Sequence, residues 1–471
     1  MFYITYYAKK HNKFITRKGQ YDKPDGTKGK SFVSKNGTFF SNGVGAQDPA
    51  TGANHLYEGS QITSRKANEG FVFLANTYND KIITADFGQH GFVYTPPTGF
   101  KSVCTNNLIP TSPNINPKKH FDILTYTGTG ATQSITGLEF KPDLVWIKKR
   151  SDSAFHQLFD TVRGATYGLF PNSSNGQFQD SGNLQSFIDG GFTADGFNGT
   201  NASSGTYVAW CWKAGGGNSS GGGFFKDGVE YASKTDILSG GIVSSIGSAS
   251  INTKAGLSII SFGGTGGSAD LPHGLGKVPH WILIKKYSAG GNSWAVYHQG
   301  NGAQQQLLLN STNASSSDAN GFDAVPDANF VHLGSGAAMA TNQTGQNIAY
   351  IWTEIPGYSK FGIYRGNNNS DGPYVYCGFK PGFIMIKNLI AGSTEWYILD
   401  SARDTDNPQN LYLSASATAA EASYTFWDVY SDGFKLKNTG AAQNPSGQDV
   451  AYMVFAEEGI STPYGVAPNA R

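Results

Sequence analysis

The apolar positions of this chain fall into short runs separated by Gly, Asn, Ser and Thr, and three of those runs repeat one another. They read Pro142-Asp-Leu-Val-Trp-Ile147-Lys148, Pro279-His-Trp-Ile-Leu-Ile284-Lys285 and Pro381-Gly-Phe-Ile-Met-Ile386-Lys387. Each copy closes downstream on a Gly-x-x-[Val/Ile]-Ala-[Trp/Tyr] strand, at Gly205–Trp210, Gly345–Tyr350 and Gly447–Tyr452. Proline to closing alanine spans 67 residues in the first copy and 70 in the other two. Spacing matched at both ends of so long a unit indicates a duplicated domain. The Pro-to-Lys run is almost continuously apolar, which predicts a central strand covered on both faces. Its terminal lysine is expected to mark where the strand leaves the core and reaches solvent.

The other elements recur in the same order. An opening strand (Ile123–Tyr126, Leu257–Phe262, Phe361–Tyr364) leads through a polar turn to the Pro-to-Lys strand. An aromatic strand follows: Phe155–Asp160, Trp294–His298, Trp396–Asp400. Leu307–Leu309 and Leu411–Leu413 form the next strand, and Gly196-Phe197 and Gly433-Phe434 mark a turn into another. Many short strands without helical periodicity predict an all-β chain of tandem β-sandwiches, jelly-roll or lectin-like. The predicted boundaries are a first β domain or attachment region over 1–104, a linker over 105–118, and copies over 119–213, 256–356 and 357–458. A Gly/Ser linker and small, weakly patterned insertion occupy 214–255, with no capacity to pack expected of Gly215–Gly223, and a tail follows over 459–471. The short junction at Pro356-Gly357-Tyr358 predicts that the second and third copies pack on each other.

Composition agrees with this picture. Of 471 residues, 61 are Gly, aromatics reach 13% and charged residues only 15%, which supplies turns and half-buried pleated surfaces. A net charge of +1 gives nucleic-acid binding no global support. Residues 1–30 carry eight Lys or Arg against two Asp, read as a solvated basic tail in a strand-poor stretch. Cys104, Cys211 and Cys377 are too few and too far apart for a disulfide framework, and the last two suit buried, small-hydrophobe roles. No apolar run is long enough to span a membrane, and the N-terminus lacks a secretory signal pattern.

Candidate chemistry is sparse. Asp160-Thr-Val-Arg163 and Asp400-Ser-Ala-Arg403 share a spacing that suits a carboxylate–guanidinium brace at a corner, with His298 standing at the Asp position of the second copy. Asp189, Asp195, Asp404, Asp406 and Glu457-Glu458 are the nearest approach to the paired carboxylates of a glycosidase, in turn-like contexts. Asp180–Asp195 lacks EF-hand spacing, and His273 and His280 have no third ligand beside them. Trp146, Trp210, Trp352 and Trp396 read as core. No residue set points to a catalytic centre, a cofactor or a metal, and ligand-binding residues are left unassigned.

Several segments together resemble a family of phage-encoded proteins common among marine and cyanobacterial viruses. They are Phe87–Lys101, Leu158–Thr166, Gly205–Gly216, His273–Pro279 and Ile355–Asn367. The resemblance implies a SPRY or lectin-like sandwich followed by tandem sandwich repeats, in a virion tail-fibre or appendage protein made without an export signal. It further implies a non-enzymatic adhesin for a host-surface glycan, contacting other virion proteins and forming a homo-oligomer, a trimer among the options. The alternatives are a capsule depolymerase and a purely structural virion decoration. In the SPRY-like pattern several strands precede the Ser34-Lys35-Asn36-Gly37 hairpin, so the first domain here is expected to be truncated or rebuilt.

Overall fold

The computed structural model describes residues 115–458, apart from 242, 244 and 336–340, together with the backbone of six strands within residues 2–86. The chain is all-β, with no α-helix among the described residues. It divides into two compact units, Met1–Thr111 and Ser112–Arg471.

In the first unit, Thr38–Phe39, Lys30–Lys35, Lys13–Gly19, Phe2–Ala8 and Ile83–Asp86 form one sheet in that order. The register Lys35↔Thr38 places the expected Asn36-Gly37 hairpin between its two strands. Phe2–Ala8 pairs antiparallel with Lys13–Gly19, which corrects the reading of residues 1–30 as strand-poor. The consecutive Tyr3, Ile4, Thr5, Tyr6 and Tyr7 are good strand formers despite the lysines that follow. Cys104 and most of the expected 105–118 linker and 459–471 tail lie outside the described residues.

In the second unit all three copies build the same sheet. Its order is opening, closing, Pro-to-Lys, aromatic strand. In the first copy these are Phe121–Thr127, Thr206–Trp212, Leu144–Lys149 and Gln157–Asp160. In the second they are Leu257–Gly264, Gly345–Trp352, Trp281–Lys286 and Ala295–His298, and in the third Ser359–Arg365, Asp449–Glu458, Lys380–Asn388 and Tyr397–Asp400. The Pro-to-Lys strand is thus central, as its apolar run predicts.

Period-two alternation sends its side chains to two different cores. Val145 and Ile147, Ile282 and Ile284, and Ile384 and Ile386 each face the interior of their own sandwich. Leu144 and Trp146, Trp281 and Leu283, and Phe383 and Met385 all face one cluster shared by the three copies. Trp210, Trp212, Tyr350, Trp352, Met453 and Phe455 from the closing strands fill the same cluster. Three sandwiches therefore close around a common apolar centre, which explains why the Pro-to-Lys strand has no polar face.

Two boundary readings change. Ser245–Asn252, expected in a loose insertion, pairs with Leu257–Gly264 and extends the second copy's sheet. The glycine run before it packs as well: a Cβ on Gly215 would sit 2.4 Å from the Ile251 backbone. The Gly-Phe pair equivalent to Gly433-Phe434 is Gly191-Phe192, not Gly196-Phe197, because both pair with the strand that follows the opening turn.

Candidate functional site

The polar groups at the seams between copies form a cycle. Lys148, Lys285 and Lys387 are each 0% exposed, so the expectation that they reach solvent is wrong. Each strand runs to a neighbouring copy instead of to the surface. Lys148 donates to the Thr418 carbonyl of the third copy at 3.2 Å, Lys285 to Ser174 of the first at 2.9 Å, and Lys387 to Thr312 of the second at 3.1 Å. The same carbonyls accept the backbone N–H groups of Ala154, Gly291 and Thr394, respectively. The ring nitrogens run the same way: His156 bonds Ser414, Trp294 bonds Phe170 and Trp396 bonds Leu308. Trp146 donates to His156 Nδ1 at 2.9 Å, leaving Nε2–H to donate to Ser414.

Burial lowers the pKa of all three lysines to about 8, with repulsion from Lys149 added at Lys148. An unfolded lysine keeps its proton to about pH 10.4, so above pH 8 the unfolded chain binds more protons and stability climbs with pH. The buried thiols and tyrosines oppose this from about pH 9 and 10, since burial holds their protons on in the folded chain. The urea midpoint is therefore expected to rise between about pH 7.5 and 9, and Lys285→Met to remove about a third of the rise. A flat profile over that range would contradict the burial argument.

The Asp-x-x-Arg corners are braces, as their spacing suggests, and they also cross the seams. Arg163 Nε donates to Asp160 Oδ2 at 2.7 Å, and the same oxygen accepts the Tyr350 hydroxyl of the second copy at 2.7 Å. Arg403 Nε donates to Asp400 Oδ2 at 2.6 Å, and that oxygen accepts the Trp210 indole of the first copy at 2.9 Å. In the second copy His298 Nε2 meets the Tyr452 carbonyl of the third at 3.3 Å. The second copy has Asn301 where the other corners have Arg, and the partner strand supplies a reason. Tyr350 pairs with Leu283 and Trp210 with Trp146, but the residue opposite Met385 is Met453. The third closing strand is slipped by one residue against the Ala-aromatic motif, so Tyr452 turns into its own sandwich and offers no hydroxyl to the seam.

Most of the remaining sequence candidates are occupied locally. Asp180 accepts from Gly182 N–H and the Asn183 amide, and Asp404 from Leu411 N–H. Asp195 accepts from Gln185, and Glu457 lies 3.6 Å from Lys380. His273 accepts from Leu275 N–H and meets the Asp327 carbonyl, and burial lowers its pKa to about 4. His280 accepts from Glu354 N–H. Cys211 and Cys377 are buried, and Trp146, Trp210, Trp352 and Trp396 lie in the shared cluster.

The outer sheets differ sharply. At one register, inward-facing positions stay apolar in every copy: Ile135 with Phe192, Leu271 with Val331, Val375 with Phe434. The adjacent outward pair is Ser134 with Thr193 in the first copy, Asp270 with His332 in the second, and Tyr374 with Lys435 in the third. The first pair shares a hydroxyl contact at 3.3 Å, and the second an imidazole–carboxylate hydrogen bond at 2.7 Å. In the third, Tyr374 and Tyr376 stand 43% and 44% exposed. The apolar pattern does not single out these tyrosines, because Tyr suits a buried strand face as well as an exposed one.

A family match covers residues 116–459, the three copies taken as one domain. The chain belongs to the DUF7483 family. That family is described as a domain of unknown function. No curated protein and no solved structure matches the chain. The bounds of the DUF7483 match enclose the whole shared cluster, from Phe121 to Phe455.

Proposed function

We propose that the DUF7483 unit is a non-enzymatic display scaffold on a viral tail fibre or related appendage, holding its outer sheets against a host-surface glycan. The observation that carries this reading is the divergence of register-equivalent outward pairs over an inward framework that stays apolar. A fold that keeps its core and varies its faces is suited to recognition, and several faces on one rigid body add weak contacts through avidity. The resemblance of Gly205–Gly216 and Ile355–Asn367 to phage-encoded proteins supports the viral setting.

Adsorption of the purified chain to host cells, a glycan array, and immunogold labelling of particles test the reading together. Saturable binding and label on an appendage are expected. Absence of the protein from purified particles, with no cell or glycan binding, would sink it.

A further inference from the structure

Three tyrosines and two ion pairs form one strip on the outer face of the third copy. Tyr374 and Tyr376 lie two residues apart on one strand face, about 6.5 Å along it. Gly433 makes room for the first of them, since a Cβ there would lie 2.9 Å from the Tyr374 hydroxyl. That hydroxyl donates to Asp432. Tyr430 sits opposite Gly433 on the next strand and meets Tyr374 edge-on, with centroids 5.7 Å apart. The Asp432 carbonyl accepts the Cys377 and Gly378 N–H groups at 2.8 and 2.9 Å, which fixes the turn after Tyr376. Burial raises both phenol pKa values, so the hydroxyls stay neutral.

The strip continues across the sheet. Tyr374 is in register with Lys435, and Lys435 with Asp428. Lys435 pairs with Asp371 at 2.5 Å and Lys437 with Asp428 at 3.4 Å. Lys437 also borders a groove of about 560 Å³ lined by Ser370, Ser423, Tyr424, Thr425 and Asn438. Tyr424 is 43% exposed.

We propose that this strip binds a neutral polysaccharide, with sugar rings lying on Tyr374 and Tyr376 and hydroxyls reaching the groove beside Tyr424; the assignment rests on the adhesin reading. Fixed aromatic rings offer an apolar face with a polar edge and lose little entropy on binding. Hydroxyl-bearing side chains with a few positioned charges match a polyhydroxylated ligand. Both lysines are already neutralised by carboxylates, and Asp432 adds a negative charge, so the strip attracts no anionic sugar. The equivalent Ser134–Thr193 and Asp270–His332 faces have no tyrosine, which confines the site to the third copy.

Isothermal titration of the full chain with glucan, xylan, mannan and galactan hexamers, and with a hexagalacturonate, tests this. Saturable binding of at least one neutral hexamer is expected, and none of the galacturonate. Tyr376→Ala or Tyr424→Ala should weaken binding about tenfold or more, with an unchanged melting midpoint, while Tyr376→Phe stays within about twofold. Tighter binding of the galacturonate, no neutral hexamer bound, or affinity indifferent to both alanine variants overturns the site. Host-cell adsorption that survives Tyr376→Ala and Tyr424→Ala removes this site and leaves the adhesin reading standing. Hexamer binding without cell adsorption does the reverse.

Discussion

Asp160→Ala is expected to destabilise the unit by about 3–5 kcal/mol, the usual result of leaving one partner of a buried ion pair alone. Arg163 would keep only neutral acceptors, the Leu158 carbonyl at 3.3 Å, and Gln177 and the Tyr350 hydroxyl at 3.5 Å. The Tyr350 hydroxyl would lose its acceptor in the next copy as well. Asp400→Ala should cost clearly less, because Arg403 retains Glu421 at 2.8 Å, itself held by Arg150. Urea unfolding of the two variants side by side decides the matter. Equal losses, or a larger loss at Asp400, would show that Glu421 does not compensate.

Trp281→Ala is expected to cost about 3–5 kcal/mol by emptying a fully buried site. Trp281 faces the shared cluster and touches Trp396 and Phe361 of the third copy, with centroids 5.7 and 6.3 Å apart. The loss should therefore lower the melting of all three copies together. Calorimetry should show a single endotherm for residues 112–471 in both wild type and variant, shifted down in the variant. A second copy that melted separately would mean that the shared centre is not the basis of cooperativity.

The repeat itself was open to a reading of the sequence, because a covered central strand leaves an uninterrupted apolar run after a proline. The destination of that strand was not. A lysine after Ile147 looks like an exit to water unless the Thr418 carbonyl, 270 residues away, is known to receive it. The closing strand of the third copy was misaligned for a related reason. Val450 to Ala456 is apolar at every position, so period two carries no information about which side chains face which core. The pairing of Met385 with Met453 settles the parity. The corner pairs were legible as local braces, since Asp-x-x-Arg is a short-range arrangement. Their second role depends on Tyr350 and Trp210 in other copies. The outer faces were hidden for the opposite reason: Ser, Asp and Tyr are all ordinary on a solvated sheet until the three registers are laid side by side.

The shared centre also sets an order of events during synthesis. Phe121 stacks on Phe455 at 5.0 Å, and Trp210 meets Phe383 at 5.8 Å. The two ends of this cluster are roughly 330 residues apart in the chain. At typical elongation rates the first copy waits on the order of 20–60 s for its partners to leave the ribosome. Through that interval Trp146, Trp210 and Trp212 have no native cover on the seam side. Nascent chains stopped short of the last strand, Asp449–Glu458, would present a bare aromatic face, the kind of surface that chaperones hold and that aggregates form upon.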